Sequence, residues 1–117
     1  RAGVLETAAG WLPAILDRYD AHYALSPGHT PVLKHVPSEV VKRGGCYFHG
    51  IDTWEKSIEY VVQQVGEDVL LFATDWPHGD TAWPEAVQQV VEWPNLTDSA
   101  KQKILGGNAM RLCPRLS

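Results

Sequence analysis

The run Val69-Leu70-Leu71-Phe72-Ala73 is apolar at every position. A strand with one wet face alternates polar and apolar residues, so an unbroken run fits a strand covered on both faces, as in a parallel sheet flanked by helices. The residues before it supply the crossover that a parallel neighbour needs. Cys46-Tyr47-Phe48, set between Gly44-Gly45 and His49-Gly50, has strand chemistry bounded by glycine. Asp52 then stands three residues before Glu55, an N-cap pattern that satisfies free N–H groups at a helix start. The spacing predicts a helix from Thr53 to about Val65, with Trp54, Ile58, Val61, Val62 and Val65 as its apolar stripe and Gly66 closing it. Strand, helix, strand in this order predicts a parallel crossover unit and an α/β fold.

The flanking segments extend the same plan. Val4 to Glu6 reads as the end of a strand, and Ala8, Ala9 and Gly10 lead into a helix from about Trp11 to Tyr23. Leu12, Ile15, Leu16, Tyr19 and Tyr23 recur there at three- and four-residue steps, and Pro13 falls in the first turn, where its missing N–H costs nothing. Three prolines and a glycine between Ser26 and Pro37 predict an irregular connection, followed by a short helical turn at Ser38-Glu39. After the loop from Thr74 to Asp80, Trp83, Ala86, Val87, Val90 and Val91 mark one side of another helix, which Trp93-Pro94 ends. Thr97 is placed to cap a last helix from about Asp98 to Leu105, which Gly106-Gly107 stops before a final turn at Asn108 to Leu112.

Composition narrows the function classes. At 117 residues, with 44% apolar and 21% charged side chains, the chain is in the range of one globular unit. A formal charge of -4 with scattered Lys and Arg offers no basic stripe for a phosphate backbone, so nucleic acid is not expected as a partner. The apolar runs are far shorter than the roughly 20 residues of a membrane span, and Arg1 to Gly10 lacks a signal-peptide core. The expectation is a cytoplasmic protein without membrane contact, with Cys46 and Cys113 as reduced thiols. The chain opens on Arg1 and runs at once into a strand, as part of a longer protein would.

The chemistry concentrates at Asp75, directly after the apolar strand and before Trp76-Pro77-His78. Functional groups of α/β proteins gather at the carboxyl ends of parallel strands. An aspartate there can bind a cation and take a proton from the water that the cation acidifies. From position alone, a turn cap with Pro77 as its stop is an equal reading. The strings ETAAGWLPAILDRYDAHY, FATDWPHGD and ILGGNAMRL, in this order and with suitable spacing along the chain, resemble the C-terminal half of the amidohydrolase-related family. That family belongs to the metal-dependent hydrolase superfamily, and its members include decarboxylases and hydratases related to aminocarboxymuconate semialdehyde decarboxylase and resorcylate decarboxylase.

The resemblance implies the C-terminal portion of a TIM (β/α)8 barrel across residues 1–117, with Val4 to Glu6, Gly45 to Phe48 and Val69 to Ala73 as the ends of strands six, seven and eight. Asp75 then corresponds to the strand-eight aspartate that ligates the catalytic metal and exchanges a proton with water. His78 corresponds to the histidine of the same loop, at the site or just behind it; a backbone hydrogen bond within the loop is its other reading. Where the family carries a histidine after strand six, this chain has Thr7, and Glu6 is the nearest ionisable group. A glutamate serves there as acid or base only if burial or neighbours tune it, and otherwise fastens the strand end. The family's His-x-His pair and strand-five histidine have no counterpart in this sequence. The implied cofactor is a divalent metal, zinc or alternatively manganese.

Other residues are weaker candidates. His49 ends the strand beside the Asp75 strand and faces either the same mouth or the interior, while His22, His29 and His35 read as solvated or loop-fixing. Trp11, Trp54 and Trp83 fall on apolar stripes and are expected in the core, whereas Trp76 is placed to line a pocket. The absence of a Gly-x-Ser-x-Gly elbow or phosphate-binding glycine loop argues against serine hydrolases and nucleotide enzymes. The expected function is a metal-dependent hydrolase or carboxy-lyase acting on a small carboxylate or carbonyl substrate, inactive as this portion alone. The alternative is a non-catalytic remnant acting as a binding or structural module. Open strand edges also predict self-association into a homo-oligomer, or pairing with a missing N-terminal half.

Overall fold

The structure is a computed structural model that describes residues 1–26, 28–29, 32–49, 55–79 and 81–116. The predicted helix start at Asp52, Thr53 and Trp54 lies outside the described residues, as do Pro27, Pro31, Gly50 and Asp80. Three strands, β1 (Ala2–Val4), β2 (Cys46–His49) and β3 (Leu70–Leu71), form one parallel sheet in the order β1-β2-β3. Between and after them come α1 (Leu12–Leu25), α2 (Pro37–Val40), α3 (Ile58–Val65), α4 (Ala86–Val91), α5 (Asp98–Gln102) and α6 (Asn108–Leu112). The α/β reading holds.

The register explains how the sheet divides its side chains. Val4 pairs with Phe48 and Phe48 with Leu70, so these three stand on one face. Leu12 and Leu16 of α1, Ile58, Val61 and Val65 of α3, and Val90 of α4 close over that face in a single apolar core. Burying each such side chain contributes about 1.5–3 kcal/mol. Tyr47, His49 and Leu71 point to the opposite face by the same alternation, and α6 approaches it, with Leu112 3.2 Å from where a Cβ on Gly3 would stand.

Several boundaries differ from the sequence expectation. β1 ends at Val4, and the described ladder of β3 is Leu70–Leu71, with β2 reaching His49 opposite Leu71. Val69 still joins the sheet through its carbonyl, which accepts from Phe48 N at 2.8 Å. Ala73 is exposed, so the apolar run is covered on both faces only in its first part. α3 starts at Ile58 rather than Thr53. In the short α4 only Ala86 and Val90, four residues apart, turn inward, while Trp83, Val87 and Val91 are exposed. Trp11 is likewise 40% exposed, its ring edge-on to Phe48 at 5.7 Å. Gly106-Gly107 does not end the last helix: Lys103–Gly107 forms a π-helical turn, with Gly107 at φ -56° and ψ -41°, that carries α5 into α6.

The capping contact expected between Glu55 and Asp52 lies outside the described residues; within them Glu55 ties two segments together. It is buried, and its carboxylate accepts from Ala9 N at 3.0 Å, Gly10 N at 2.5 Å and Ser57 Oγ at 3.1 Å. These amides lie in the turn that leads into α1, just before its N-cap Trp11, and a carboxylate from another segment satisfies them. The contact leaves no room for a side chain at residue 10. A Cβ on Gly10 would lie 2.3 Å from Ser57 Oγ and 2.9 Å from Glu55 Oε1.

The approach to β3 is fastened by Asn108 and by a charged cluster. Fully buried Asn108 donates from Nδ2 to Glu67 O and Leu70 O, both at 2.8 Å. Lys103 Nζ lies 2.7 Å from Glu67 and 3.0 Å from Asp68, and Arg111 also bonds Asp68. Hydrogen bonds from Lys103 and Ser99 hold the Glu67 carboxyl below its ordinary value. For Asp68, burial pushes upward, but Lys103 and Arg111 outweigh it and the net shift is down. Bonds to Glu67 and Asp68 raise the Lys103 ammonium.

Two measurements check this account. Asn108→Ala strips two buried carbonyls of their donor and should cost about 2–4 kcal/mol in urea unfolding; an unchanged midpoint would refute the clamp. Depressed carboxylates stabilise above their unfolded pKa and lose that contribution as pH falls through the folded one. Lys103→Met should therefore cost up to about 1 kcal/mol at neutral pH for this half-exposed cluster. The deficit should shrink as pH falls through and below the ordinary carboxylate range, and a pH-independent deficit would contradict the cluster's role.

Candidate metal centre

All three strands run in the same direction, so their carboxyl ends open at one rim of the sheet. Glu6 follows β1, His49 ends β2 and Asp75 follows β3 at that rim. Glu6 and Asp75 both have left-handed backbones, with φ 58° and 54°. That conformation is uncommon for residues other than glycine, costs about 1–2 kcal/mol, and is tolerated best by Asp and Asn. It persists here because the surrounding loops hold it.

Each loop has its own fastening. After β3, His78 N donates to Asp75 O at 2.8 Å and Thr81 N to His78 O at 3.3 Å, while the Thr81 hydroxyl donates to Thr74 O. This tight turn brings His78 back beside Asp75. After β1, the Trp11 indole donates to Thr7 O at 2.8 Å and Ala8 O at 3.1 Å, and Glu55 holds the next two amides. Glu6 N donates to His49 Nδ1 at 3.2 Å, which joins the first loop to the end of β2.

The result is one cluster. One ligand atom from each of Glu6, Asp75 and His78 lies within 4.8 Å of the others, with Asp75 partly buried and the other two exposed. Two carboxylates at such range repel unless a proton or a cation lies near them. The donor set of two carboxylates and an imidazole suits a divalent cation of hard to borderline character. Beside it is a cleft of about 300 Å³ with apolar walls from Leu5, Leu71, Phe72 and Ala109, and with Glu6, His49 and Asp75 as its polar groups.

The structure thus brings together the three residues singled out in the sequence. Thr7 is exposed, and its hydroxyl donates to Ala8 O at 3.2 Å. Trp76 does not line the cleft; it is 64% exposed and leans on Trp83, with ring centroids 6.0 Å apart. His49 is the residue that sequence reasoning undervalued. It is buried and built into the cleft wall, and its position at the end of a neighbouring parallel strand was the available signal.

Comparison with known proteins agrees with this architecture. The family model described as Amidohydrolase matches residues 8–115. An amidohydrolase of Mycobacterium avium subsp. paratuberculosis superposes with a TM-score of 0.77 at 22% identity, covering 96% of this chain and 27% of that one. The 5-carboxyvanillate decarboxylase of Sphingomonas paucimobilis gives 0.67 at 26% identity, over 87% of this chain and 30% of that one. The IDCase of Metarhizium anisopliae, in its apo form, gives 0.66 at 20% identity, over 100% of this chain and 34% of that one. No curated protein sequence matches significantly. The chain therefore spans about a third or less of the length of these solved relatives. Among the described residues, no helix is long and apolar enough to cross a membrane. With a family match over nearly its whole length and a fold shared with the solved relatives, this chain belongs to the amidohydrolase family and forms part of a (β/α)8 barrel.

Proposed function

We propose that this chain contributes metal-binding and proton-handling groups to a metal-dependent hydrolase or carboxy-lyase acting on a small carboxylate or carbonyl substrate. The observation that carries this reading is the convergence of Glu6, Asp75 and His78 at the carboxyl rim of the sheet. Family membership supports the reaction class, and the named decarboxylase among the structural relatives favours the carboxy-lyase branch.

Asp75 holds the cation through its carboxylate and serves as the proton acceptor. Glu6 and His78 supply the flanking carboxylate and imidazole. Zinc is the preferred ion, since it accepts both donor types and leaves a coordination position open in catalytic sites, with manganese as the alternative. When bound, the cation supplies Lewis acidity and makes nearby water easier to deprotonate. Residues of a complete barrel, including the His-x-His pair typical of the family, would finish the coordination. A complete barrel takes about 250 residues, so the 117 residues of this chain are not expected to turn over substrate by themselves.

Asp75→Asn tests the central assignment. The carboxamide keeps the size of the side chain and tolerates the left-handed backbone, but loses the charge. Zinc titration of the chain by calorimetry should then show affinity at least about tenfold weaker. Equal affinity in the variant would sink the assignment of Asp75 as a ligand.

A further inference from the structure

In a strand, successive side chains point to opposite faces. Val4 packs against the core beneath the helices, so Leu5 falls on the other face, and an extended Glu6 would return to the core side with Val4. Instead Leu5 and Glu6 both line the cleft. The left-handed turn at Glu6, with φ 58°, breaks the alternation and swings its carboxylate toward Asp75 and His78. Glutamate does not favour that conformation, so the surroundings must hold it there.

His49 makes the contact at that residue. Its ring is 6% exposed and stands at the end of β2, where the ladder pairs it with Leu71, so its place is set by the sheet rather than by a loop. Nδ1 accepts a hydrogen bond from Glu6 N at 3.2 Å. A backbone amide only donates, so this nitrogen presents its lone pair to Glu6 and is occupied by it. Nε2 is buried and out of reach of anything seated in the open cleft. With one nitrogen occupied and the other sealed, His49 acts on the site through Glu6. The other fastenings of this loop come after the turn, at Thr7 and Ala8 through Trp11 and at Ala9 and Gly10 through Glu55.

We infer that His49 is a positioning residue of the metal centre, whose Nδ1 locks the backbone of Glu6 in the turn that delivers its carboxylate to Asp75 and His78. The inference rests on the proposed metal centre and deepens it. It makes the grip on the cation depend on β2, a strand that supplies none of the three clustered side chains.

Zinc affinity, measured by calorimetry on the chain, reads this coupling. His49→Phe keeps a flat ring without an acceptor and should bind zinc about tenfold more weakly than the unaltered chain. His49→Asn, whose side-chain oxygen can accept where Nδ1 does, should recover most of that loss. In a Glu6→Gln chain, which has already lost the carboxylate, adding His49→Phe should weaken zinc no further. An equal penalty in both backgrounds, or no recovery in a folded His49→Asn, would overturn the inference and leave the metal centre standing. Unaltered zinc binding in both Glu6→Gln and Asp75→Asn would overturn the metal centre, and the inference with it. If the His49 variants do not fold, the 15N-labelled unaltered chain decides. Scalar coupling across the hydrogen bond from Glu6 N to His49 Nδ1 should persist at zinc saturation. Loss of that coupling, or a His49 nitrogen shift typical of direct zinc ligation, would defeat the positioning role.

Discussion

Parallel pairing of three short strands is the constraint on which the rest of this chain depends. Phe48 is its centre: it is paired on one side with Val4 and on the other with Leu70, and its side chain enters the core beneath α1 and α3. Because all three strands point the same way, the turns that follow them arrive at one rim. Glu6, His49 and Asp75 are separated by tens of residues in sequence, yet they share a cleft wall. An antiparallel arrangement of the same strands would send alternate ends to opposite rims and separate the cluster.

The rim is held from behind by polar contacts that reach across the chain. Glu55 holds Ala9 and Gly10 in the turn before α1, and so fixes the exit of the loop that carries Glu6. Asn108 fastens the approach to β3, and Lys103 and Arg111 bracket Asp68 beside it. Here two segments of the family resemblance acquire physical meaning. The asparagine of ILGGNAMRL donates to the backbone ahead of the strand that leads to Asp75, and the glycine of AAGWLP is small because a carboxylate must approach it. Neither residue touches the metal cluster. Each sets the geometry of a loop that does.

The exposed apolar residues follow from the same architecture. Trp11, Trp83, Val87 and Val91 were expected to be buried by their periodicity, but they stand partly open. A helix stripe is wide enough to meet more than one neighbour, and α4 finds inward contact only through Ala86 and Val90. Periodicity reports which side of a helix is apolar. It does not report how much partner surface is available to cover that side, which explains why the core was overestimated at these positions.

The sequence by itself determined the order of strands and helices, the parallel character of the sheet and the place of Asp75, because these follow from local composition: an unbroken apolar run, helical periods, and an acidic residue at a strand end. The family resemblance added His78, and the histidine that this chain lacks after the first strand drew attention to Glu6 as the nearest ionisable group. Tertiary structure alone decided that the ligand atoms of Glu6, Asp75 and His78 meet within 4.8 Å, that Glu55 fastens the turn before α1, and that His49 Nε2 is buried without a hydrogen-bond partner among the described residues. Those facts depend on contacts between residues about forty or more positions apart, and on the left-handed backbones of Glu6 and Asp75, the first tied to His49 and the second held by its own turn. No local pattern encodes such distances. They emerge only when the parallel ladder brings the ends of separate strands to the same rim.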